Sequence, residues 1–298
     1  MISLKQVIYI LAVEKTLHFK KAAELCSVSQ SALSTAITEM EKQLGFQVFE
    51  RDNKKVLITP AGALCLEKAH SIKLQMDDLY QLGQALKAPL SYPMSIGTIP
   101  TIGPYLLPQV LPGVRHHYPD FQLRIIEEQS HVLVNQVRNG ELDAAILALP
   151  FDIEGLLAFE FWQEDFYWVT HQDDPLSQQT EITSEELKQS HLMLLKDGHC
   201  LKEHALAACK LPSSETDASL ASTSLNMLVQ MVAGRMGTTL IPAMALEQLV
   251  SGNCELKAVH LNEPGPHRRI AFIIRPNYAG VKNIEVLMKI FRQQMNSK

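Results

Sequence analysis

Two cysteines, Cys200 and Cys209, lie nine positions apart, and His199 directly precedes the first. A cysteine held as thiolate reacts with oxidants, and a second thiol within reach can capture the resulting sulfenic acid as a disulfide. In a helix, this spacing would separate the two Cα atoms by about 13.5 Å on opposite faces, whereas a disulfide needs them within about 7 Å. Oxidation would therefore unwind the segment, which predicts a two-state redox switch.

The same segment allows two other interpretations. Four of its side chains have the types that bind metals: His199, Cys200, His204 and Cys209. A histidine and a cysteine adjacent in sequence rarely serve one ion well, so we expect no metal site. A thiol peroxidase would also use a reactive cysteine, but it would leave the N-terminal segment described below unexplained. We therefore expect a non-enzymatic protein without a cofactor.

The composition of the whole chain is that of an ordinary globular protein. It has 298 residues, 46% hydrophobic and 20% charged, which suffices for two or three cores. No apolar run has the length of a membrane span, and the N-terminus lacks a signal peptide, so we expect a cytoplasmic protein. Five cysteines, an odd number, predict a reversible pair rather than a permanent disulfide framework.

Charge is distributed unevenly along the chain. The net charge is −5, but residues 1–62 hold eight Lys/Arg against six Asp/Glu and are net positive. A basic segment on an acidic chain is mild support for contact with nucleic acid.

A well-specified helix begins after Ser29. Ser29 is a suitable N-cap, Val28 and Leu33 are placed for a hydrophobic staple, and Gly45 ends the helix. One stripe should be buried, formed by Leu33, Ile37, Met40 and Leu44. Short polar side chains should face outwards: Ser29, Gln30, Ser31, Ser34, Thr35 and Thr38. Such side chains reach bases and phosphates when a recognition helix enters a major groove, although a solvated surface has the same pattern.

Residues 48–58 form the pattern of two short strands around a polar turn. This is typical of a wing, and Arg51, Lys54 and Lys55 near its tip are placed for phosphate contacts. A solvated turn is the alternative.

A long helix follows, capped by Thr59 with Pro60 at its first position. Its apolar residues alternate at spacings of four and three: Cys65, Ala69, Ile72, Met76, Leu79, Gly83 and Leu86. This seam predicts pairing with another helix. We expect dimerisation through four of them, Ile72, Met76, Leu79 and Leu86, with a core helix as the alternative.

From Met94 onward, strand-like apolar runs alternate with helical stretches, which is α/β patterning. A strand at residues 270–274 and a terminal helix at 281–295 return to complete the first unit. The pattern predicts two lobes joined by two crossovers, and clefts between such lobes commonly bind small molecules.

Several stretches resemble LysR-type transcriptional regulators: residues 21–34, 44–51, 57–62, 140–146, 231–237 and 240–242. The resemblance implies an α+β/α/β fold with a winged helix-turn-helix in residues 1–62 and a linker, or dimerisation, helix with a hinge in 63–90. A two-lobed regulatory domain similar to periplasmic binding proteins would occupy residues 91–298. Lobe I would comprise 91–163 and 266–298, and lobe II 164–265. One departure is Thr35-Ala36, where the family commonly carries Arg and Gln.

Within this family, residues 99–108 and 197–201 resemble the members that sense hydrogen peroxide. That resemblance implies that Cys200 is the peroxidatic thiol and Cys209 the resolving one. It also implies a peroxide pocket lined by Thr101, Ser130, His199 and Arg268. A cation and hydroxyl donors would stabilise the departing hydroxide, and a cation beside Cys200 would lower the pKa of its thiol.

These features predict a regulator whose contacts with double-stranded promoter DNA change when Cys200 and Cys209 join, activating or repressing antioxidant genes. We expect a dimer or a dimer of dimers (a homotetramer), with RNA polymerase as a candidate partner. A thiol reductant such as glutaredoxin or thioredoxin would reset it. The alternative is a LysR-type regulator that responds to a small metabolite bound between its lobes.

Overall fold

The computed structural model describes residues 1–52, 55–85, 88–188, 190–210 and 224–296. The chain divides into two compact units, Met1–Gly83 and Gln84–Lys298. The N-terminal unit contains helices α1 (Leu4–Thr16), α2 (Phe19–Leu25) and α3 (Gln30–Leu44), the hairpin strands β1 (Phe49–Asp52) and β2 (Lys55–Ile58), and most of helix α4 (Pro60–Ala85).

Helix α3 has the ends that the sequence predicts. The Ser29 hydroxyl accepts a hydrogen bond from the backbone N–H of Ala32 at 3.2 Å. Gly45 ends the helix at φ 78°, a left-handed conformation that glycine adopts without steric penalty. Three residues of the predicted stripe, Leu33, Ile37 and Met40, are buried, and Leu44 is half-buried.

The wing is fixed to α3 by a buried carboxylate. Glu41 Oε1 accepts hydrogen bonds from the backbone N–H groups of Val48 at 2.8 Å and Phe49 at 3.2 Å. Strands β1 and β2 then pair antiparallel, with Phe49 opposite Ile58. The predicted two-stranded wing is therefore confirmed.

Helix α4 begins at the predicted cap, where Thr59 Oγ1 accepts from the N–H of Gly62 at 2.8 Å. Leu66 and Ala69 are buried in the core of the N-terminal unit. Further along, Ile72 is 42% exposed and Leu79 is 70% exposed, whereas Met76 is half-buried. The helix thus carries apolar side chains that the rest of the chain does not fully cover.

The second unit is an α/β structure with two sheets. Its strands are β3 (Met94–Thr98), β4 (Leu123–Glu127), β5 (Ala144–Leu149), β6 (Leu157–Glu164), β7 (Phe166–His171), β8 (Glu181–Ile182), β9 (Leu192–Met193), β10 (Thr238–Pro242), β11 (Leu256–Leu261) and β12 (Arg268–Ile274). Its helices are α5 (Gly103–His117), α6 (Ser130–Arg138), α7 (Ser184–Leu187), α8 (Cys200–Cys209), α9 (Leu225–Ala233), α10 (Leu246–Leu249) and α11 (Val281–Asn296).

Each sheet is the centre of one lobe. The first has the order β4-β3-β5-β12-β6, and the second β8-β11-β7-β10-β9. Strands β3, β4 and β5 are parallel, whereas β12 runs antiparallel to both β5 and β6. The chain passes between the sheets after β6 and again before β12, so the predicted two-lobed α/β fold with two crossovers is confirmed.

No helix within the described ranges is long and apolar enough to cross a membrane.

Candidate redox site

The two cysteines occupy opposite ends of one helix. Cys200 is the first residue of α8 and Cys209 the last. Both are buried free thiols. At 1.5 Å per residue and 3.6 residues per turn, their Cα atoms are about 13.5 Å apart on opposite faces. A disulfide is incompatible with this helix.

Cys200 borders a small, partly enclosed cavity of about 10 Å³, which holds about one water-sized molecule. Residues from three segments line it: Ile99, Pro100, Thr101, Gln129, Ser130, Gly198, His199 and Cys200. Gly198 has φ +95°, a conformation that favours glycine, and a Cβ there would lie 3.0 Å from the Gln129 side chain. The segment before α8 therefore fits closely against the start of α6.

Arg268 supplies the positive charge near this cavity. It is fully buried on β12, and its Nε donates to Glu164 Oε1 at 2.6 Å. Arg268 also donates two hydrogen bonds to Thr101, from Nη1 to the hydroxyl at 3.2 Å and from Nη2 to the carbonyl at 2.9 Å. Glu164 also accepts from the N–H of Met244 at 2.9 Å. The guanidinium is thus held in one orientation.

The neighbouring Arg269 lies elsewhere. Its side chain is 43% exposed and pairs with Glu160 at 2.7 Å. Adjacent residues of a strand face opposite sides of a sheet, so only one of the two arginines can approach Cys200.

The pKa of the Cys200 thiol is raised by burial of its sulfur, while the Ser130 hydroxyl and the Arg268 charge act in the opposite direction. The Arg268 cation thus lowers the pKa of the thiol, as we predicted, but in this conformation desolvation of the thiolate outweighs both favourable groups and the net shift is upward. Ser130 Oγ is buried and makes no hydrogen bond of normal geometry with the described residues, so its hydrogen is available to the sulfur.

His199 is the N-cap residue of α8, and its buried side chain makes no capping hydrogen bond within the described ranges. Burial lowers the pKa of its imidazole, and Glu203 opposes that effect. The ring is therefore neutral near pH 7.

Cys209 lies in a different environment from Cys200. Burial and the Glu263 carboxylate raise the pKa of its thiol to about 12. Glu263 in turn accepts hydrogen bonds from Ser184 and from Lys210, the residue after α8. Cys209 is consequently a protonated, weakly nucleophilic thiol while α8 is intact.

The four predicted pocket residues thus lie around Cys200: Thr101, Ser130 and His199 line the cavity, and Arg268 bonds to Thr101. Sequence reasoning missed Glu164, the partner of Arg268, and Gln129. Gln129 directly precedes a predicted residue, but Glu164 is 104 positions from Arg268, and no local pattern links the two.

The predicted DNA-contacting residues lie on the N-terminal unit. Five of them are exposed on or beside α3, namely Ser29, Gln30, Ser31, Thr35 and Thr38, and Ser34 is half-buried. Lys55 is exposed on β2, Arg51 belongs to β1, and Lys54 lies outside the described residues. Leu86, predicted for dimerisation, also lies outside them. Among the residues that can be described, there is no cluster of three or more metal-binding side chains.

Two family models match the chain. The bacterial regulatory helix-turn-helix protein model of the lysR family matches residues 4–63, and the LysR substrate binding domain model matches residues 87–296. The chain therefore belongs to the LysR family of regulators, which confirms the predicted membership.

Individual relatives extend over nearly the whole chain. The HTH-type transcriptional regulator EstR of Acinetobacter baylyi is 36% identical over 292 residues, covering 98% of this chain and 96% of EstR. The hydrogen peroxide-inducible genes activator of Dickeya chrysanthemi is 34% identical over 289 residues, covering 96% of this chain and 94% of the activator. A variant of full-length OxyR from Pseudomonas aeruginosa superimposes with a TM-score of 0.82 at 33% identity, covering 98% of this chain and 95% of the OxyR chain.

Proposed function

We propose that the chain is a DNA-binding transcription regulator that senses hydrogen peroxide by reversible formation of a disulfide between Cys200 and Cys209. The observation that carries this proposal is the placement of Cys200 at a small cavity beside hydroxyl groups and a fixed guanidinium, with Cys209 at the far end of the same helix. Similarity to a peroxide-inducible genes activator over 96% of the chain supports it.

The first step is oxidation of Cys200. Its sulfur attacks one peroxide oxygen, the O–O bond breaks, and the departing hydroxide takes up the thiol proton to leave as water. Cys200 becomes a sulfenic acid. Thr101 Oγ1 accepts from Arg268, so the Thr101 hydroxyl hydrogen is free to point into the cavity and stabilise the departing oxygen.

The second step joins the cysteines. The Cys209 thiol loses its proton and its sulfur attacks the Cys200 sulfur. The S–O bond of the sulfenic acid breaks as the S–S bond forms, and the departing hydroxide takes up that proton to leave as water. Because the Cα atoms must approach from about 13.5 Å to within about 7 Å, α8 must unwind. Unwinding also removes Cys209 from burial and from Glu263, which together raise the pKa of its thiol. Release from the helix therefore makes Cys209 a better nucleophile at the moment when it is needed.

The output is a change in promoter contacts through α3 and the wing, in a dimer or dimer of dimers paired through α4. Candidate base and phosphate contacts are Ser29, Gln30, Ser31, Ser34, Thr35, Thr38, Arg51, Lys54 and Lys55. Glutaredoxin or thioredoxin would reduce the disulfide, and RNA polymerase is a candidate partner at the promoter. Since promoter DNA and these reductants share the cytoplasm, we place the protein there.

Footprinting on a target promoter, with and without peroxide, tests the proposal. Cys200→Ser should bind DNA but show no peroxide-dependent change in its footprint. Cys209→Ser should stall at the sulfenic acid, detectable by mass spectrometry. Cys254→Ser, which removes an exposed cysteine, is the matched control and should respond like the wild type. A peroxide-responsive Cys200→Ser protein would reject the mechanism.

A metabolite-responsive regulator is the second candidate, because a LysR substrate binding domain model matches residues 87–296 and EstR, a regulator not named for peroxide, is as similar to the chain as the peroxide-inducible activator is. The cavity at Cys200 is far smaller than the roughly 300–1,000 Å³ of a typical metabolite pocket, which favours peroxide at that place. Alkylation under non-denaturing conditions distinguishes the peroxide-sensing function from the metabolite-responsive one. If both thiols stay free after mild peroxide treatment, the metabolite-responsive function is favoured.

A further inference from the structure

One buried titratable side chain on α8 has no role in the mechanism above. His204 lies four residues after Cys200, so the two side chains share a face of the helix one turn apart. Its side chain is almost completely buried, at 3% exposure. It also lies inside the segment that must unwind for the disulfide to form.

The hydrogen bonding of His204 fixes its tautomer. Its Nε2 lies 2.8 Å from the carbonyl oxygen of Pro150, and a carbonyl only accepts, so Nε2 carries the hydrogen. Its Nδ1 is buried and has no hydrogen-bond partner among the described residues. A protonated ring would therefore place an unpaired N–H donor in the interior.

The charges around the ring also favour the neutral form. Burial lowers the pKa of the imidazole most, the bond to Pro150 opposes this, and the Arg268 cation lowers it further. Arg268 lies on β12 and is itself paired with Glu164 of β6. On α8 itself, Glu203 is the preceding residue and is exposed.

The bond to Pro150 connects α8 to the first sheet. Pro150 directly follows β5, a strand of the first sheet. Cys200 faces that lobe as well, through Ser130 at the start of α6. The first turns of α8 are thus held against the first lobe at two points, and unwinding must release both.

We propose that His204 is a positioning residue that holds α8 in its helical, dithiol form and takes up a proton when disulfide formation releases it. This inference rests on the proposed redox function. Once released into water, the ring regains an ordinary pKa near 6.5. The bridged form then binds more protons than the helical form at mildly acid pH, so acid favours the disulfide.

An exchange equilibrium with dithiothreitol isolates this effect. The full-length dithiol reacts with oxidised dithiothreitol to give the bridged protein and reduced dithiothreitol, so two electrons and two thiol protons pass from protein to reagent. Between pH 5.5 and 7.5 all the thiols are protonated, and the constant of a simple exchange is independent of pH. Proton uptake by His204 makes the exchange constant rise as the pH falls, and below about pH 6.5 this rise approaches tenfold per pH unit.

The constant is measured from both the reduced and the bridged protein. For the wild type it should be flat above pH 7 and rise as the pH falls to 5.5. His204→Gln keeps a donor for Pro150 but cannot titrate. Its exchange constant should therefore lack the part of the acid rise that His204 contributes. His199→Gln, which removes the neighbouring imidazole, is the matched control. Its exchange constant should keep the acid rise that His204 contributes.

Each outcome decides the proposal. Equal slopes in the wild type and His204→Gln, or a rise lost in His199→Gln instead, would overturn the role of His204 while leaving the disulfide intact. A wild-type protein that never forms the bridge would overturn the redox function as well. His204→Leu, which removes the bond to Pro150 and cannot titrate, should raise the constant about fivefold above that of His204→Gln at every pH, because these two variants differ in the hydrogen bond and not in proton uptake.

Discussion

At the scale of single residues, the chemistry at Cys200 depends on buried polar groups that fix one another. Glu164 orients Arg268, and Arg268 occupies the acceptor site of the Thr101 hydroxyl. The thiol itself has a raised pKa because burial dominates. Reactivity in this conformation therefore depends more on stabilising the departing hydroxide than on a preformed thiolate.

Thr101→Val tests that argument, because valine keeps the shape of the side chain and removes the hydroxyl. We expect Cys200 oxidation to slow about 100-fold, as for loss of one donor to a developing anion. Stopped-flow measurement of sulfenic acid formation in a Cys209→Ser background would show this. Thr101→Ser keeps the hydroxyl and should stay within a few-fold of the parent. A Thr101→Val rate equal to the parent's would show that the hydroxyl does not act on peroxide.

At the scale of elements, α8 is a helix of low intrinsic stability. It has ten residues, and helices this short are marginal in water. His199 gives it no capping hydrogen bond within the described residues, and Lys210 ends it at φ 53°, which a non-glycine residue adopts at a cost of about 1 kcal/mol. Tertiary contacts at Cys200, His204 and Cys209 hold it. Under the proposed mechanism, loss of the contacts at Cys200 on oxidation would favour unwinding of such a helix.

Element boundaries were the part of the structure that the sequence determined best. Ser29 and Gly45 set the ends of α3, and Thr59 sets the start of α4, because capping uses residues within one turn. Cys200 and Cys209 were predicted to be a redox pair from their types and spacing, and that pairing stays a prediction. The partners that define the site could not be found in this way, since Glu164 ends β6, Pro150 follows β5, and only the fold positions them.

Gly62 gives a prediction for the N-terminal unit. A Cβ at this position would lie 2.1 Å from the backbone oxygen of Val48, at the start of the wing. Gly62→Ala should therefore destabilise this unit by about 1–3 kcal/mol through overpacking and weaken promoter binding. Differential scanning calorimetry and DNA titration would measure both effects.

The matched control is Gly252→Ala, where an added Cβ meets nothing within 4 Å. Disulfide formation by Gly62→Ala should remain normal, because Cys200 and Cys209 belong to the other compact unit. Unchanged melting and promoter affinity would show that the start of the wing is free to shift.

At the scale of the whole molecule, sensing and DNA contact belong to separate units. The thiols and the pocket lie in Gln84–Lys298, whereas α3 and the wing lie in Met1–Gly83. A chemical change in one unit must therefore be transmitted to the other, and the proposed assembly through α4 would give such a route. Its exposed Ile72 and Leu79 are the apolar surface that pairing would cover.

Leu79→Glu tests assembly, because a charge at this 70% exposed position would have to be buried on pairing. We expect weaker self-association in sedimentation velocity and lower affinity for a two-half-site promoter, with peroxide-driven bridging of Cys200 and Cys209 retained. Ser71→Glu adds the same charge at an exposed position outside the apolar seam and should associate like the wild type. If Leu79→Glu retains full self-association, another surface joins the subunits, and transmission to the DNA must follow that surface instead.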